Sequence, residues 1–262
     1  MSSSTGSFGD LRARTLSAVV MVALGAGAIW AGGLVFTGLV VILVGLMVYE
    51  LLRMLDPDKR LSATQARALG AGVWLLVLAW QLPEALRVPA LLLPILILTP
   101  TVPRDRIVFA LYLALILFAG LGLIILRDDF GLYWVLWLVA LVIGSDVAGY
   151  FAGRIIGGPK LWPRVSPKKT WSGTLAGWGL AAVIGAGFMG VLGVGAGLIA
   201  ISVLVAIAGQ AGDIAESAIK RHVGVKDSSN LIPGHGGVLD RFDAMIAAAA
   251  LVFVLAAFGL LG

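Results

Sequence analysis

The 262-residue chain is 60% hydrophobic and only 13% charged, with a mean hydropathy of +1.03 and a formal net charge of +5. A soluble domain carries about a quarter charged residues, so this chain has too little polar surface to cover a water-soluble globule. The absence of cysteine excludes disulfides and thiolate metal sites, and the basic excess reads as retained cytoplasmic loops, with no nucleic-acid partner.

The chain opens on a Ser-rich stretch, read as a disordered cytoplasmic tail over 1–13. A spanning helix needs about 20 mostly apolar residues. Runs of that kind predict an all-α, polytopic integral membrane protein with about nine transmembrane helices. They fall at 14–31, 34–54, 68–83, 85–101, 107–126, 131–150, 173–190, 193–212 and 243–261. The fourth run is punctuated by Pro89, Pro94 and Pro100, which membrane helices tolerate. The first is too long, and too closely followed by a second, to resemble a cleaved signal peptide. About five helices form an N-terminal transmembrane region over 14–130. A second region, 131–262, carries two long polar loops at 151–172 and 213–242 and is expected to hold the chemistry.

Orientation follows from counting Lys and Arg over alternate loops. Of the 19 basic residues, all except Arg87 and Arg127 fall on one side. The other basic residues include Arg12, Arg14, Lys59 and Arg60 near the start and the lysines of both long loops. Positive charge stays cytoplasmic, so the N-terminus is expected inside and the C-terminus in the periplasm of a bacterial-type inner membrane. The polar loops then lie at the cytoplasmic face. No internal repeat is visible, which argues against an inverted-repeat transporter.

Five acids stand where an apolar run meets a loop: Asp146, Asp213, Glu216, Asp240 and Asp243. A carboxylate at the bilayer margin is costly unless paired, hydrated or bound to metal. Asp240 and Asp243 share a helical face at a spacing of three, and Asp213, Glu216 and Lys220 project from one stripe. These acids serve equally well as helix caps or as ligands for a hard cation carrying a nucleotide's phosphates. The first loop, RIIGGPKLWPRVSPKKTWSG, places Lys168 and Lys169 just before a helix that Thr170 or Ser172 can cap. Dipole and ammonium groups together suit an anion there. The second loop holds Pro233, Gly234, Gly236 and Gly237, whose turns can expose amides to phosphate oxygens. Around them stand Lys220, Arg221, Lys226 and Arg241 to neutralise polyphosphate, and Asp227 as a further candidate ligand. His235 can donate to a phosphate or exchange a proton.

The stretch from Ser217 to Asp243 resembles the C-terminal signature of the phosphatidate cytidylyltransferase, or CDP-diacylglycerol synthase, family. Ser217, Lys220, Arg221, Lys226, Asp227, Pro233, His235, Gly236, Gly237, Asp240, Arg241 and Asp243 match it in register. The SPKKTW run from Ser166 to Trp171 and the pair Ser145–Asp146 are also similar to that family. Ser172 departs from it, because many members carry Glu there. The resemblance covers about 140–262; the first five runs match only in hydropathy.

The resemblance implies that CTP reacts with phosphatidic acid among membrane lipids, giving CDP-diacylglycerol and pyrophosphate. It also implies Mg²⁺, as one or two ions with a monovalent cation conceivable beside them, and a homodimer. Asp240, Asp243, Lys226, Asp227 and His235 are the expected catalytic residues, with Asp213, Asp240, Asp243 and Asp146 as metal ligands. Lys168, Lys169, Lys220, Arg221, Arg241, Ser166, Ser217, Gly236 and Gly237 would bind substrate. Alternatives are a cytidylyltransferase for another lipid phosphate, a polyprenol- or phytol-type lipid kinase, and an ion or phosphate transporter.

Overall fold

In lipid every backbone N–H and C=O must be paired within its own segment, so each apolar run is driven to helix. A computed structural model describes residues 6–56 and 61–261, with side chains in the first helix described from residue 14 onward. Residues 1–5 of the expected tail, together with Lys59 and Arg60, lie outside the described residues. In chain order the helices are α1 (Gly6–Ala31), α2 (Gly33–Leu55), α3 (Ala63–Gln81), α4 (Glu84–Leu98), α5 (Arg106–Ile125), α6 (Leu132–Ile155), α7 (Trp171–Leu192), α8 (Gly197–His222) and α9 (Leu239–Ala257). A 3-10 turn, Thr99–Thr101, extends α4, and a π turn, Leu126–Phe130, ends α5.

The chain is an all-α membrane protein. Each expected apolar run falls on a helix, and among the described residues seven helices are long and apolar enough to cross a membrane: α1, α2, α4 with its 3-10 turn, α5 with its π turn, α6, α7 and α8. Trp30, Leu34, Trp74 and Ile107 are exposed, as side chains facing lipid would be. α5 packs against α2, α3, α4 and α9, so Phe109, Leu113, Ile116, Leu121 and Ile124 are all buried. Local signals set several ends. Ser62 and Gln65 form a reciprocal capping box at the start of α3. At the opposite end of the bundle from the two polar loops, Arg127 donates from Nε to Ile29 O (2.8 Å) and from Nη2 to Trp30 O (3.2 Å), closing the end of α1.

Boundaries differ from the sequence expectation in three places. α1 begins at Gly6, so helix takes in part of the stretch read as a tail. α8 continues through Asp213, Glu216 and Lys220 to His222, and α9 starts at Leu239, so the second loop shrinks to 223–238. The residues read as loop are polar but line one inward stripe, which a helix accommodates. Within the first loop, β1 (Lys160–Trp162) and β2 (Ser166–Thr170) form an antiparallel hairpin with Lys160 opposite Thr170 and Trp162 opposite Ser166.

Candidate active site

α7, α8 and α9 gather the signature at one end of the bundle. Thr170 caps α7, its Oγ1 accepting from Gly173 N at 3.2 Å. Ser172, the departure from the family pattern, donates to Gly157 O and lies 3.0 Å from Thr170 Oγ1, tying the hairpin's entry to the helix start. α8 and α9 meet closely because Gly212 has no side chain: a Cβ there would lie 2.6 Å from both Asp243 O and Ala247 Cβ. That contact sets Asp213, the next residue, beside Asp243.

The acids then take different partners. Lys220 Nζ lies 2.7 Å from Asp240 Oδ1 and also pairs with Glu216, whose side chain is fully buried one turn before it on α8. Asp240 Oδ2 accepts from Ser228 N (2.8 Å), Ser228 Oγ (2.9 Å) and Gly237 N (2.9 Å). Both oxygens of Asp240 are thus engaged by the protein. Asp213 pairs through Oδ2 with Lys169 Nζ at 2.6 Å and accepts from Ser217 Oγ at 3.3 Å. Asp243 accepts from Ala244 N at 2.7 Å. Asp146 is exposed within a cavity, and the charges of Asp146, Asp213 and Asp243 act on one another.

Two cavities flank this row. The first, about 570 Å³, lies among α6, the hairpin, α7 and α8. Arg154, Lys160, Lys168 and Lys169 line it together with Asp146, Asp213, Ser145 and Gln210, Lys169 being the partner of Asp213. The second, about 560 Å³, is lined by Lys226, Asp227, His235, Gly236, Arg241 and, from α1, Arg14. α1 also reaches this loop through Ser17 Oγ, which donates to Pro233 O at 3.0 Å. Of the expected substrate residues, Lys168 and Lys169 line the first cavity and Gly236 and Arg241 the second, whereas Ser166, Ser217, Lys220 and Gly237 line neither. Arg221 is exposed in the last turn of α8 and is among the lining residues of neither. His222 beside it lies 3.1 Å from Asp105.

Gly237 is placed under the loop by its own contacts. Its amide donates to Asp240, and a Cβ at this position would run into Ser228 Oγ and Glu50 Oε1. Glu50 is a residue that sequence reasoning missed. It is fully buried in α2 and accepts from Val238 N (3.0 Å), Leu239 N (2.7 Å), Ser228 Oγ (3.4 Å) and Ser229 Oγ. A carboxylate inside an apolar run was the available signal. Tyr112 was missed as well. Its hydroxyl is buried without a hydrogen-bond partner among the described residues, within the field of Glu216, Asp243, Asp213 and Asp240. A tyrosine in an apolar run carries no comparable signal.

The arrangement of carboxylates beside two cation-lined cavities can be compared with known proteins. The model of the cytidylyltransferase family matches residues 12–258, from α1 to the end of α9. The chain belongs to the cytidylyltransferase family. A phosphatidate cytidylyltransferase of Brucella suis is 47% identical over 146 residues, 53% of each chain. One of Bacillus subtilis is 38% identical over 133 residues, 50% of this chain and 49% of that one. The chain spans about half the length of these relatives. A third, from Staphylococcus saprophyticus, is 32% identical over 263 residues, covering 94% of this chain and 98% of the other. The family match reaches across α2 and Glu50, beyond the region that carries the signature.

Proposed function

We propose that the chain transfers the cytidylyl group of CTP to phosphatidic acid, releasing pyrophosphate and forming CDP-diacylglycerol for phospholipid synthesis. The observation that carries this reading is the first cavity, which four cationic side chains line together with Asp146 and Asp213 at the end of the helices. The names of the three relatives support the choice of lipid phosphate.

The lipid phosphate oxygen is itself the nucleophile, so no Ser or Cys nucleophile is required. Its bond to the α-phosphorus of CTP forms as the bond to the β-phosphate oxygen breaks, and pyrophosphate leaves with the electron pair. Two polyanions must approach each other, and fixed cations lower that barrier. Lys168, Lys169, Arg154 and Lys160 in the first cavity, and Lys226 and Arg241 in the second, would hold the phosphates.

The carboxylates fit a hard divalent cation. Asp146 lines the first cavity with no hydrogen bond among the described residues, Asp213 lines the same cavity, and Asp243 lies within the field of both. No three acidic or imidazole side chains among the described residues form a complete cage. Mg²⁺ does not need one, since it commonly takes one or two carboxylates with phosphate oxygens and water. Asp146 with one of Asp213 and Asp243 would hold it, Asp213 then exchanging its contacts with Lys169 and Ser217 for the ion, while the oxygens of Asp240 are committed to Lys220, Ser228 and Gly237. Bound there, Mg²⁺ supplies charge neutralisation for the triphosphate and the departing pyrophosphate. The same reading takes nine spans, a cytoplasmic N-terminus, an active site at the cytoplasmic face of the inner membrane, and a homodimer.

The test is pyrophosphate release by purified protein in detergent, with CTP, phosphatidic acid and Mg²⁺ omitted in turn. Release should need all three, cease with EDTA, return with added Mg²⁺, and fail with ATP. Release of a nucleoside diphosphate instead of pyrophosphate would make the chain a lipid kinase and overturn the proposal.

A further inference from the structure

Glu50 lies in the apolar run VGLMVYELLRML of α2 and is fully buried. An ionised carboxylate at that depth is costly unless donors surround it. The donors come from the far end of the chain. Val238 N and Leu239 N belong to the first turn of α9, a helix whose own Val238 cap position offers no side-chain hydrogen bond. Glu50 thus satisfies two of the amides that every helix start leaves open, and adds negative charge at the positive end of the helix dipole. Its other donors, the hydroxyls of Ser228 and Ser229, anchor the loop that precedes α9. Ser228 is shared, since its N–H and hydroxyl also donate to Asp240. Gly237 completes the fit: a Cβ there would lie 2.6 Å from Glu50 Oε1 and would clash with Ser228 Oγ.

We infer that Glu50 is a positioning residue for cytidylyl transfer. From the N-terminal region it clamps the 226–238 loop to the start of α9. Asp240 and Asp243 on α9, and Lys226, His235 and Arg241 in the second cavity, then hold their places against α8. Glu50 touches no cavity-lining residue's charged group directly, so its effect passes through Ser228, Ser229 and the α9 backbone. The clamp stands on the structure alone, whereas its catalytic consequence rests on the cytidylyl-transfer reading.

The experiment compares wild type, Glu50→Gln and Ser229→Ala in detergent, by amide hydrogen exchange of the unliganded protein and by steady-state turnover of CTP with phosphatidic acid. Glu50→Gln keeps the shape but replaces one acceptor oxygen by a donor that faces other donors. Peptides covering 226–240 should exchange about tenfold faster, the scale of one or two lost charge-assisted hydrogen bonds. kcat should fall by about tenfold or more, with KM for CTP changed by less than about threefold, because an interaction realised in the transition state is misplaced. Ser229→Ala, which removes one donor from the same carboxylate, should move both readouts the same way by about threefold. Wild-type exchange in Glu50→Gln overturns the clamp, and a loss confined to KM overturns the positioning role. Should Glu50→Gln fail to fold, Ser229→Ala decides: unchanged exchange and kcat overturn the inference. Wild type without turnover would remove the cytidylyl-transfer reading, while the exchange arm still decides the clamp.

Discussion

Asp240 and Asp146 carry the same carboxylate into two environments, and substitution separates what each contributes. Asp240 is buried and receives Lys220 Nζ, two N–H groups and a hydroxyl. Truncation would leave all of these donors facing a gap. Removing one partner of a buried ion pair commonly costs about 3–5 kcal/mol. Asp240→Ala should therefore lower the thermal unfolding temperature in detergent as well as remove turnover; a variant melting like wild type would contradict the network. Asp146 lines the first cavity. Asp146→Asn should cut pyrophosphate release by about a hundredfold, the usual scale for one electrostatic contact to reacting phosphates. Its melting temperature should match wild type, and full turnover would exclude it from the phosphate site. Both residues were legible in the sequence as acids at a membrane margin. Their difference was not, because Ser228 and Gly237 reach Asp240 only after the loop folds back on α9.

At the scale of elements, the spacing of Asp213 and Asp243 is set by the contact of α8 with α9. Gly212→Ala would press a methyl against Asp243 O and Ala247 Cβ. Overpacking of that kind costs about 1–3 kcal/mol. The variant should melt earlier and turn over more slowly, since the two acids are pushed apart. Gly187→Ala in α7 is the control: nothing lies within 4 Å of its Cβ position. Ala in an exposed helix interior is favoured over Gly by about 0.5–1 kcal/mol, so this variant should melt no earlier than wild type and keep full turnover. Equal losses in both would show that helix contact at Gly212 is not what matters. The helices were readable from hydropathy, and capping chemistry narrowed the α7 cap to Thr170 or Ser172, of which the structure shows Thr170. The 160–170 hairpin was not readable, because Pro, Lys and Ser there show no alternation of apolar and polar residues.

For the whole molecule, the positive-inside count predicts Arg164 in the cytoplasm and the α7–α8 turn outside. The chain has no cysteine, so single substitutions report without background. Arg164→Cys, at the exposed hairpin turn, should react with a membrane-impermeant maleimide only in inverted vesicles. Gly195→Cys, between α7 and α8 with open space around it, should react in intact spheroplasts. The reverse pattern would invert the topology. The structure also makes the two halves interdependent. α5 packs on α9, α1 touches the second loop through Ser17, and α2 delivers Glu50 to the start of α9.

The sequence alone determined the membrane class, the apolar runs, the set of acids at the margin and the family signature. Each of these depends on residue type or on near-neighbour spacing along the chain. Tertiary structure decided which carboxylates are filled and which line a cavity, and it divided several of the cationic residues between two cavities. It also brought in Glu50, whose amide donors lie 188 and 189 residues away. Hydropathy marks a buried charge as costly, but the groups that stabilise it come from elements distant in sequence, and only the folded chain brings them within hydrogen-bond reach.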